Sequence, residues 1–356
     1  MVPPSSSMYV AGAIGMPATT AAGAGVLILG GERFLHNYGP AADAGNTFVG
    51  LQAGNFTMGG SGSEGKYNTA VGMFSLLNNT TGTQNTASGY WSLLSNTGGG
   101  ANTASGYQSL LANTTGYINT ASGAYSLFSN TTGFANTASG TSSLQANTTG
   151  SQNTASGYYT GGTNATGSNN TFLGAYSDAA ANNLTDATAV GYGAIVDASY
   201  HVRIGDTNVT QIGGQVAWSN LSDARHKENI RDLDLGLDFV LQLRPVSFTM
   251  KQGNGRTDMG FLAQDVEAVL GDDYNLLGIG GDKDRTLSLR GTDLIAPMVK
   301  AIQEQQTQIE IRDARIAVLE ARSSTQQSQI EELRRQVQVL VEARNAATIA
   351  ETARSH

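Results

Sequence analysis

The chain contains no cysteine, which excludes disulfide scaffolds and thiolate metal sites and leaves its redox compartment open. Histidine is nearly as scarce. His36, His201, His226 and His356 are too scattered to build a metal cluster, and no metal or cofactor is expected. Charge is missing from the first part. Only 10 of the 221 residues before Ser222 are Asp, Glu, Lys or Arg, against 38 of the 135 from Ser222 onward, and none falls between Lys66 and Asp178. Glycoside cleavage ordinarily needs two carboxylates flanking the bond, so the uncharged stretch is a poor candidate for a sugar-degrading enzyme. A net charge of −8 argues against nucleic acid as the main partner. Long apolar runs are absent as well. Nothing approaches the ~20 residues of a membrane span, and Met1–Ser7 lacks the basic region of a secretory signal. Ala21–Gly30 is apolar but short and reads as a buried strand. Leu, Ile, Val and Phe are too sparse in the first half for an ordinary layered core.

What fills the first half is repetition. The tetrad Asn-Thr-Ala-Ser/Val, followed by Gly, begins at Asn68, Asn85, Asn102, Asn119, Asn136 and Asn153, each 17 residues after the last. Weaker copies begin at Asn46, Asn170 and Asp186. In the clearest unit, Asn102–Ile118, the alternation puts Thr103, Ser105 and Tyr107 on one side of a strand and Ala104 and Gly106 on the other. Ser109-Leu110-Leu111 reads as a second short extended piece. Asn113-Thr114-Thr115-Gly116 reads as a turn in which Gly or Asn takes positive φ. One such unit has too little apolar surface to fold alone, so neighbours must stack. Gly, Thr and Asn in every unit disfavour a helical solenoid. The expectation is a parallel β-roll or β-helix, and the small inward residues (Ala104, Gly106, Ala121, Gly123) suit several chains packed about one axis. The repeats resemble the heads of trimeric, YadA-like autotransporter adhesins, whose turns carry similar Asn-x-Ala-x-Gly elements.

Two features of the repeats have competing readings. Tyr90, Trp91, Tyr107, Tyr125, Tyr158 and Tyr159 recur near one register, either as a ladder that stacks on sugar rings or as packing between adjacent turns. Asn79, Asn113, Asn130 and Asn147 each begin an Asn-Thr-Thr that matches a glycosylation acceptor, although a repeating turn explains them better. Beyond Ala187 the repeats fade into short strand-like pieces that read as a neck ending at Trp218-Ser219-Asn220-Leu221.

The composition then changes abruptly, at Ser222-Asp223-Ala224-Arg225-His226-Lys227-Glu228-Asn229-Ile230. Ser or Asp ahead of such a stretch is an ordinary helix N-cap. The same stretch resembles the intramolecular chaperone of endosialidases and tail fibres, a self-cleaving peptidase family with Ser and Lys five residues apart. Three later stretches carry the resemblance further: Leu243–Phe248 (LRPVSF), Asp258–Glu267 (DMGFLAQDVE) and Leu294–Ile302 (LIAPMVKAI). The resemblance implies cleavage between Leu221 and Ser222, with Ser222 as nucleophile and Lys227 as its base. Serine attacks well only when a base takes its proton. Lysine serves as that base only when desolvation or a nearby positive charge favours its neutral form. Arg225 is a candidate contributor to that shift, while Asp223, Glu228 and Asn229 are candidates to orient the pair or cap a following helix. The domain reads as α+β: a helix over 232–243, a strand over 246–251, a turn over 252–256, a helix over 263–270 and a loop over 278–284.

From Ile295 a heptad can be counted. Ile295, Ile302, Ile309, Ile316, Ser323, Ile330 and Val337 fall at a; Met298, Gln305, Arg312, Leu319, Gln326, Leu333 and Leu340 fall at d. Ile at a with apolar or Gln residues at d leans toward three strands. Ser323–Gln329 weakens the seam and reads as a hinge, and a packed helical hairpin is the alternative. The division expected is an N-terminal segment (1–45), β-roll repeats (46–185), a neck (186–221), a self-cleaving chaperone (222–294) and a coiled coil (295–356). The functional expectation is a homotrimeric fibre or adhesin, on a phage tail or a bacterial surface. It would meet a host glycan or receptor and release its assembly module by self-cleavage, with no activity on external substrates. A purely structural fibre with an uncleaved trimerisation domain is the alternative.

Overall fold

The computed structural model describes residues 25–39, 45–59, 64–215, 219–251, 255–270, 274–280 and 285–354. Two compact units emerge. One comprises mainly the residues up to 215, and the other holds the junction, the following α+β segment and the C-terminal helix.

The first unit is a β-solenoid. Twelve short strands form one sheet that runs from Leu27–Leu29 and Glu32–His36 through the successive turns to Val202–Ile204. The first two pairings are antiparallel and the remainder parallel. The parallel register is strict: Thr86, Thr103, Thr120, Thr137 and Thr154 lie over one another, and so do Ala87, Ala104, Ala121, Ala138 and Ala155. Threonine and serine face out and alanine faces in, as period-two alternation requires. The alanine column packs against Leu76, Leu93, Leu110, Leu127 and Leu144, all fully buried in the same chain. Small inward residues thus fit a narrow coil of one chain, and they need no threefold axis to explain them.

Ser109–Leu111 is not a strand. It is a corner in which Gln108 and Leu110 take φ of 56° and 51°, and the same conformation recurs at Trp91 and Leu93 and at Tyr125 and Leu127. The left-handed residues of each turn are therefore ordinary side chains at the corners, together with Gly106 and its equivalents at φ near 138°. Gly116 does not take positive φ. A Cβ there would stand 2.4 Å from both Gly133 O and Asn113 Oδ1, so close approach between turns, rather than chain reversal, requires glycine.

The repeat's asparagines are its buried polar spine. Asn102 Nδ2 donates to Gly116 O at 2.8 Å, and its Oδ1 accepts from Asn119 N at 3.0 Å and from Asn119 Nδ2 at 3.1 Å. A second ladder links Asn79, Asn96, Asn113, Asn130 and Asn147 through Nδ2-to-Oδ1 bonds between turns. These side chains are fully buried, which accounts for the Asn-Thr-Thr sequences by packing rather than glycosylation. Among the described residues no buried side-chain nitrogen or oxygen lacks a partner. Outside, the aromatics pack between turns: Tyr90 stacks on Tyr107 at 5.7 Å and Tyr117 on Phe134 at 5.0 Å. Packing is what the aromatic column shows, although Tyr107, Tyr117, Tyr158 and Tyr176 remain over 40 % exposed.

Several expectations shift. The strand within Ala21–Gly30 exists as Leu27–Leu29, but it is exposed, because it is the outermost strand of the sheet. The segment expected as a neck carries strands Thr188–Val190 and Val202–Ile204, which continue the same parallel sheet. Trp218 and the residues before Gly25 lie outside those described.

His36 is buried in the first turns of the solenoid. Its Nε2 meets Ala53 O at 2.7 Å, its Nδ1 accepts from Tyr38 N at 3.3 Å, and Phe48 and Phe56 flank the ring. Burial pushes the His36 imidazole down to about 4, and nearby Arg33 pushes the same way. In the unfolded chain the ring takes its proton near ~6.5. The stabilisation by neutral His36 is therefore complete above that pH and is lost as pH falls toward 4. The ceiling of the effect is about 3 kcal/mol. His36→Leu is expected to flatten the pH dependence of amide-exchange protection at Leu35 and Phe48 between pH 6.5 and 4. Equal slopes in variant and wild type would contradict this.

In the second unit, three helices surround a small core. They are α1 (Leu237–Gln242), α2 (Ala263–Leu270) and α3 (Ile295–Arg354), and Phe239, Val266, Leu270, Leu276 and Leu294 are buried among them. α1 is shorter than the 232–243 expected. Gly236 adopts a non-helical conformation ahead of it, and the Asp234 carboxylate is held by the Tyr274 hydroxyl. α2 matches expectation, and the strand after α1 covers Val246–Thr249. The turn over 252–256 and the loop over 278–284 fall largely outside the described residues. α3 is one unbroken helix of 60 residues, roughly 90 Å at 1.5 Å per residue, with neither hinge at Ser323–Gln329 nor hairpin. No helix among the described residues is long and apolar enough to cross a membrane.

Candidate active site

The junction is built by one tight turn. Asp223 is extended, and its carboxylate accepts from Arg225 N at 2.9 Å, which caps a single 3-10 turn over Ala224–His226. Lys227 then returns to extended backbone as its N–H donates to Ala224 O at 3.1 Å. Five residues of extended chain would separate Ser222 from Lys227 by roughly 17 Å. The turn instead folds the lysine back, and Lys227 Nζ lies 2.8 Å from Ser222 Oγ. The capping reading and the Ser–Lys pairing therefore coexist. Asp223 takes the cap, and that frees the Ser222 hydroxyl for the amine.

The supporting residues divide. Arg225 grips Asp223: its Nε lies 3.1 and 3.0 Å from the two carboxylate oxygens, and Nη2 makes a further bond. The guanidinium holds the Asp223 carboxyl below the usual carboxylate range, helped by the Arg225 backbone N–H, and Asp223 raises Arg225 in return. In the single chain the Arg225 guanidinium is thus paired with Asp223. Glu228 and Asn229 are exposed, and neither bonds to Ser222 or Lys227; Asn229 takes φ of 51° and turns the chain away. In a single chain Ser222 and Lys227 are exposed, and Leu221 is 76 % exposed.

Behind the junction the later sequence stretches lock together. Arg244, from the Leu-Arg-Pro stretch, pairs with Asp265, from the Ala-Gln-Asp-Val-Glu stretch, at 2.8 Å. The start of α1 is capped from α3, where Glu304 Oε2 accepts from Leu237 N at 2.7 Å. A Cβ at position 236 would stand 2.3 Å from that carboxylate oxygen, so a larger residue there would push the Glu304 carboxylate off the Leu237 N–H. Sequence reasoning missed Gly236 and Glu304. The one signal was an acidic residue on the α1-facing side of the long helix, 67 residues from its partner. Among the described residues no group of His, Asp and Glu is placed to hold a metal ion.

No curated protein and no solved structure matches the chain significantly. The YadA-like resemblance therefore rests on the repeat residues, and the stretch Leu294–Ile302 on its own sequence. The chaperone-of-endosialidase family model (Peptidase_S74) matches residues 222–273, beginning at the serine that Lys227 contacts.

Proposed function

We propose that the chain is a homotrimeric fibre or adhesin, from a phage tail or a bacterial surface. In this reading the solenoid is its host-facing part, and the unit from Ser222 onward is an assembly chaperone that then cuts itself free. The observation that carries the cleavage is the 2.8 Å contact between Lys227 Nζ and Ser222 Oγ, at the first residue of the match to a self-cleaving chaperone family. Ser222 Oγ attacks the carbonyl carbon of Leu221 while its proton passes to the Lys227 amine. The Leu221–Ser222 C–N bond breaks, the Ser222 nitrogen leaves as an amine carrying that proton, and an ester joins Leu221 to Oγ. Water then hydrolyses the ester to the Leu221 carboxylate and the free Ser222 hydroxyl.

Assembly enters through two exposed features. The heptad positions Ile302, Ile309, Ile316, Leu319, Ile330, Leu333, Val337 and Leu340 are between 43 % and 68 % exposed along α3. A helix this long with an uncovered apolar seam gains most of its stability from partner helices. Lysine in turn acts as a base only once burial has favoured its neutral form, and Lys227 is exposed in one chain. Three chains brought together by the seam would bury it. Cleavage thereby becomes a checkpoint that follows trimerisation, and the trimmed fibre is left kinetically rather than reversibly assembled. Repeats of one register are prone to slip, so prior alignment of the chains has a clear use.

A denaturing gel with intact-mass analysis tests the reading. Wild-type protein should give two fragments that meet at Leu221/Ser222, and a wild-type chain that stays whole after assembly would overturn it.

A further inference from the structure

One turn of the solenoid lacks a corner side chain that the turns before it carry. In successive turns the corner position after the buried leucine is held by Leu77, Leu94, Leu111, Phe128 and Gln145, and then by Gly162. The neighbouring Gly161 is forced, because a Cβ there would lie 2.8 Å from the ring of Phe172. Gly162 is not. It has ordinary backbone, and its Cβ would meet only Asp178 Oδ2 at 3.7 Å and Tyr159 O at 3.8 Å. The missing side chain leaves a groove of about 620 Å³, lined by Ser129, Gln145, Tyr159, Gly162, Tyr176 and Asp178 among others.

The groove gathers chemistry found nowhere else on the uncharged turns. Asp178 is the first charged residue after Lys66. Its carboxylate is fixed by Thr163 N, 3.0 Å from each oxygen, by Thr163 Oγ1 at 2.8 Å and by Ala179 N at 2.8 Å. Three donors hold the carboxylate in place, one of them shared between the two oxygens, and Oδ2 faces the gap at Gly162. Tyr159 and Tyr176 stack with centroids 6.2 Å apart, and each is over 40 % exposed. Both sit at left-handed corners, with φ of 52° and 59°, on the rim of the groove. The Tyr158–Tyr176–Tyr192 contacts extend the aromatic surface along the fibre.

We infer that this groove is a binding site for a neutral oligosaccharide. The inference rests on the host-attachment reading above and gives it a location and a ligand class. Aromatic rings offer apolar faces to the C–H faces of a sugar. A fixed carboxylate takes a charge-assisted bond from a sugar hydroxyl, and the Gln145 amide and Ser129 hydroxyl supply both donors and acceptors. No cation lines the groove, so an acidic sugar would meet Asp178 with nothing to neutralise it.

The full-length protein applied to an array of neutral and acidic oligosaccharides, followed by calorimetric titration of the strongest neutral binder, tests this. Gly162→Leu restores the side chain that Leu94 and Leu111 supply in other turns, and Tyr176→Ala removes a rim ring. Each is expected to weaken the neutral glycan about 10-fold or more, with the fragment pattern unchanged and the chain still folded by circular dichroism. Wild-type affinity in both variants would place the glycan elsewhere and overturn the site, while leaving the attachment reading intact. Binding confined to acidic sugars would overturn the ligand class. Absence of any glycan binding would overturn the inference and the glycan form of the attachment reading together.

Discussion

Lys227→Met is expected to leave the chain whole. On a denaturing gel the fragments 1–221 and 222–356 disappear, while sedimentation still finds trimers. The loss should be complete within detection, because the variant removes the one amine in contact with the nucleophile. Ser222→Ala should behave identically, and the double variant should be no worse than either single one, as for residues that act as a unit. Lys227→Arg is the sharper control. It keeps the positive charge and a hydrogen bond to Ser222, but a guanidinium is not deprotonated in proteins and so does not serve as a base. Residual cleavage in Lys227→Arg would show that the contact is structural. Asp223→Ala is expected to slow cleavage without abolishing it, since the carboxylate caps the turn that folds Lys227 back but touches neither reacting atom.

The second large effect lies in the shaft. Asn119 Nδ2 donates to Gly133 O at 2.8 Å and to Asn102 Oδ1 at 3.1 Å, and its Oδ1 accepts from Asn136 N and Nδ2 at 3.0 and 3.1 Å. Asn119→Ala would strand the buried Asn136 backbone N–H, while the Gly133 carbonyl keeps its bond from Asn130 Nδ2. A buried group left unsatisfied costs about 1–3 kcal/mol. That is a large share of a typical domain's ~5–15 kcal/mol, although a solenoid spreads the loss over neighbouring turns. Ser122→Ala, three residues on and exposed, should cost under ~0.5 kcal/mol. Thermal unfolding followed by circular dichroism compares them, and equal midpoints would show that the asparagine ladder contributes nothing. Asn119→Asp should be worse than Ala, because it loses the donor and buries a charge.

Much of this was legible in the sequence because a 17-residue period fixes which residues stack, and alternation within Thr103–Ser105 fixes which face in. The corners were harder. Leu110 looks like a strand residue, and its left-handed backbone is tolerated because Ser126 of the next turn and Asn113 of its own hold its backbone by hydrogen bonds and its side chain packs in the buried core, which no local propensity reports. The extent of the solenoid was missed for a simpler reason. Its last pairing joins Thr188 to Val202, 14 residues on, so a self-comparison at the usual spacing loses the turn. At the junction, the spacing of Ser222 and Lys227 and the adjoining charges were readable, but the pairing of Arg225 with Asp223 was not. Asp223, two residues away, offers a bidentate carboxylate, and the guanidinium pairs with it in the single chain. Glu304 capping α1 depends on a tertiary approach that only the fold reveals.

The central claim is that assembly licenses the cut. It is tested most directly by native mass spectrometry over time, on wild type and on a variant with two seam positions charged, Ile309→Asp with Ile316→Asp. The account predicts that wild type passes from monomer to intact trimer and only then to a trimmed fibre ending at Leu221, while the charged-seam chain remains monomeric and uncut for as long as it is watched. Cleaved monomers in either sample, or a wild-type trimer that never loses residues 222–356, would contradict it.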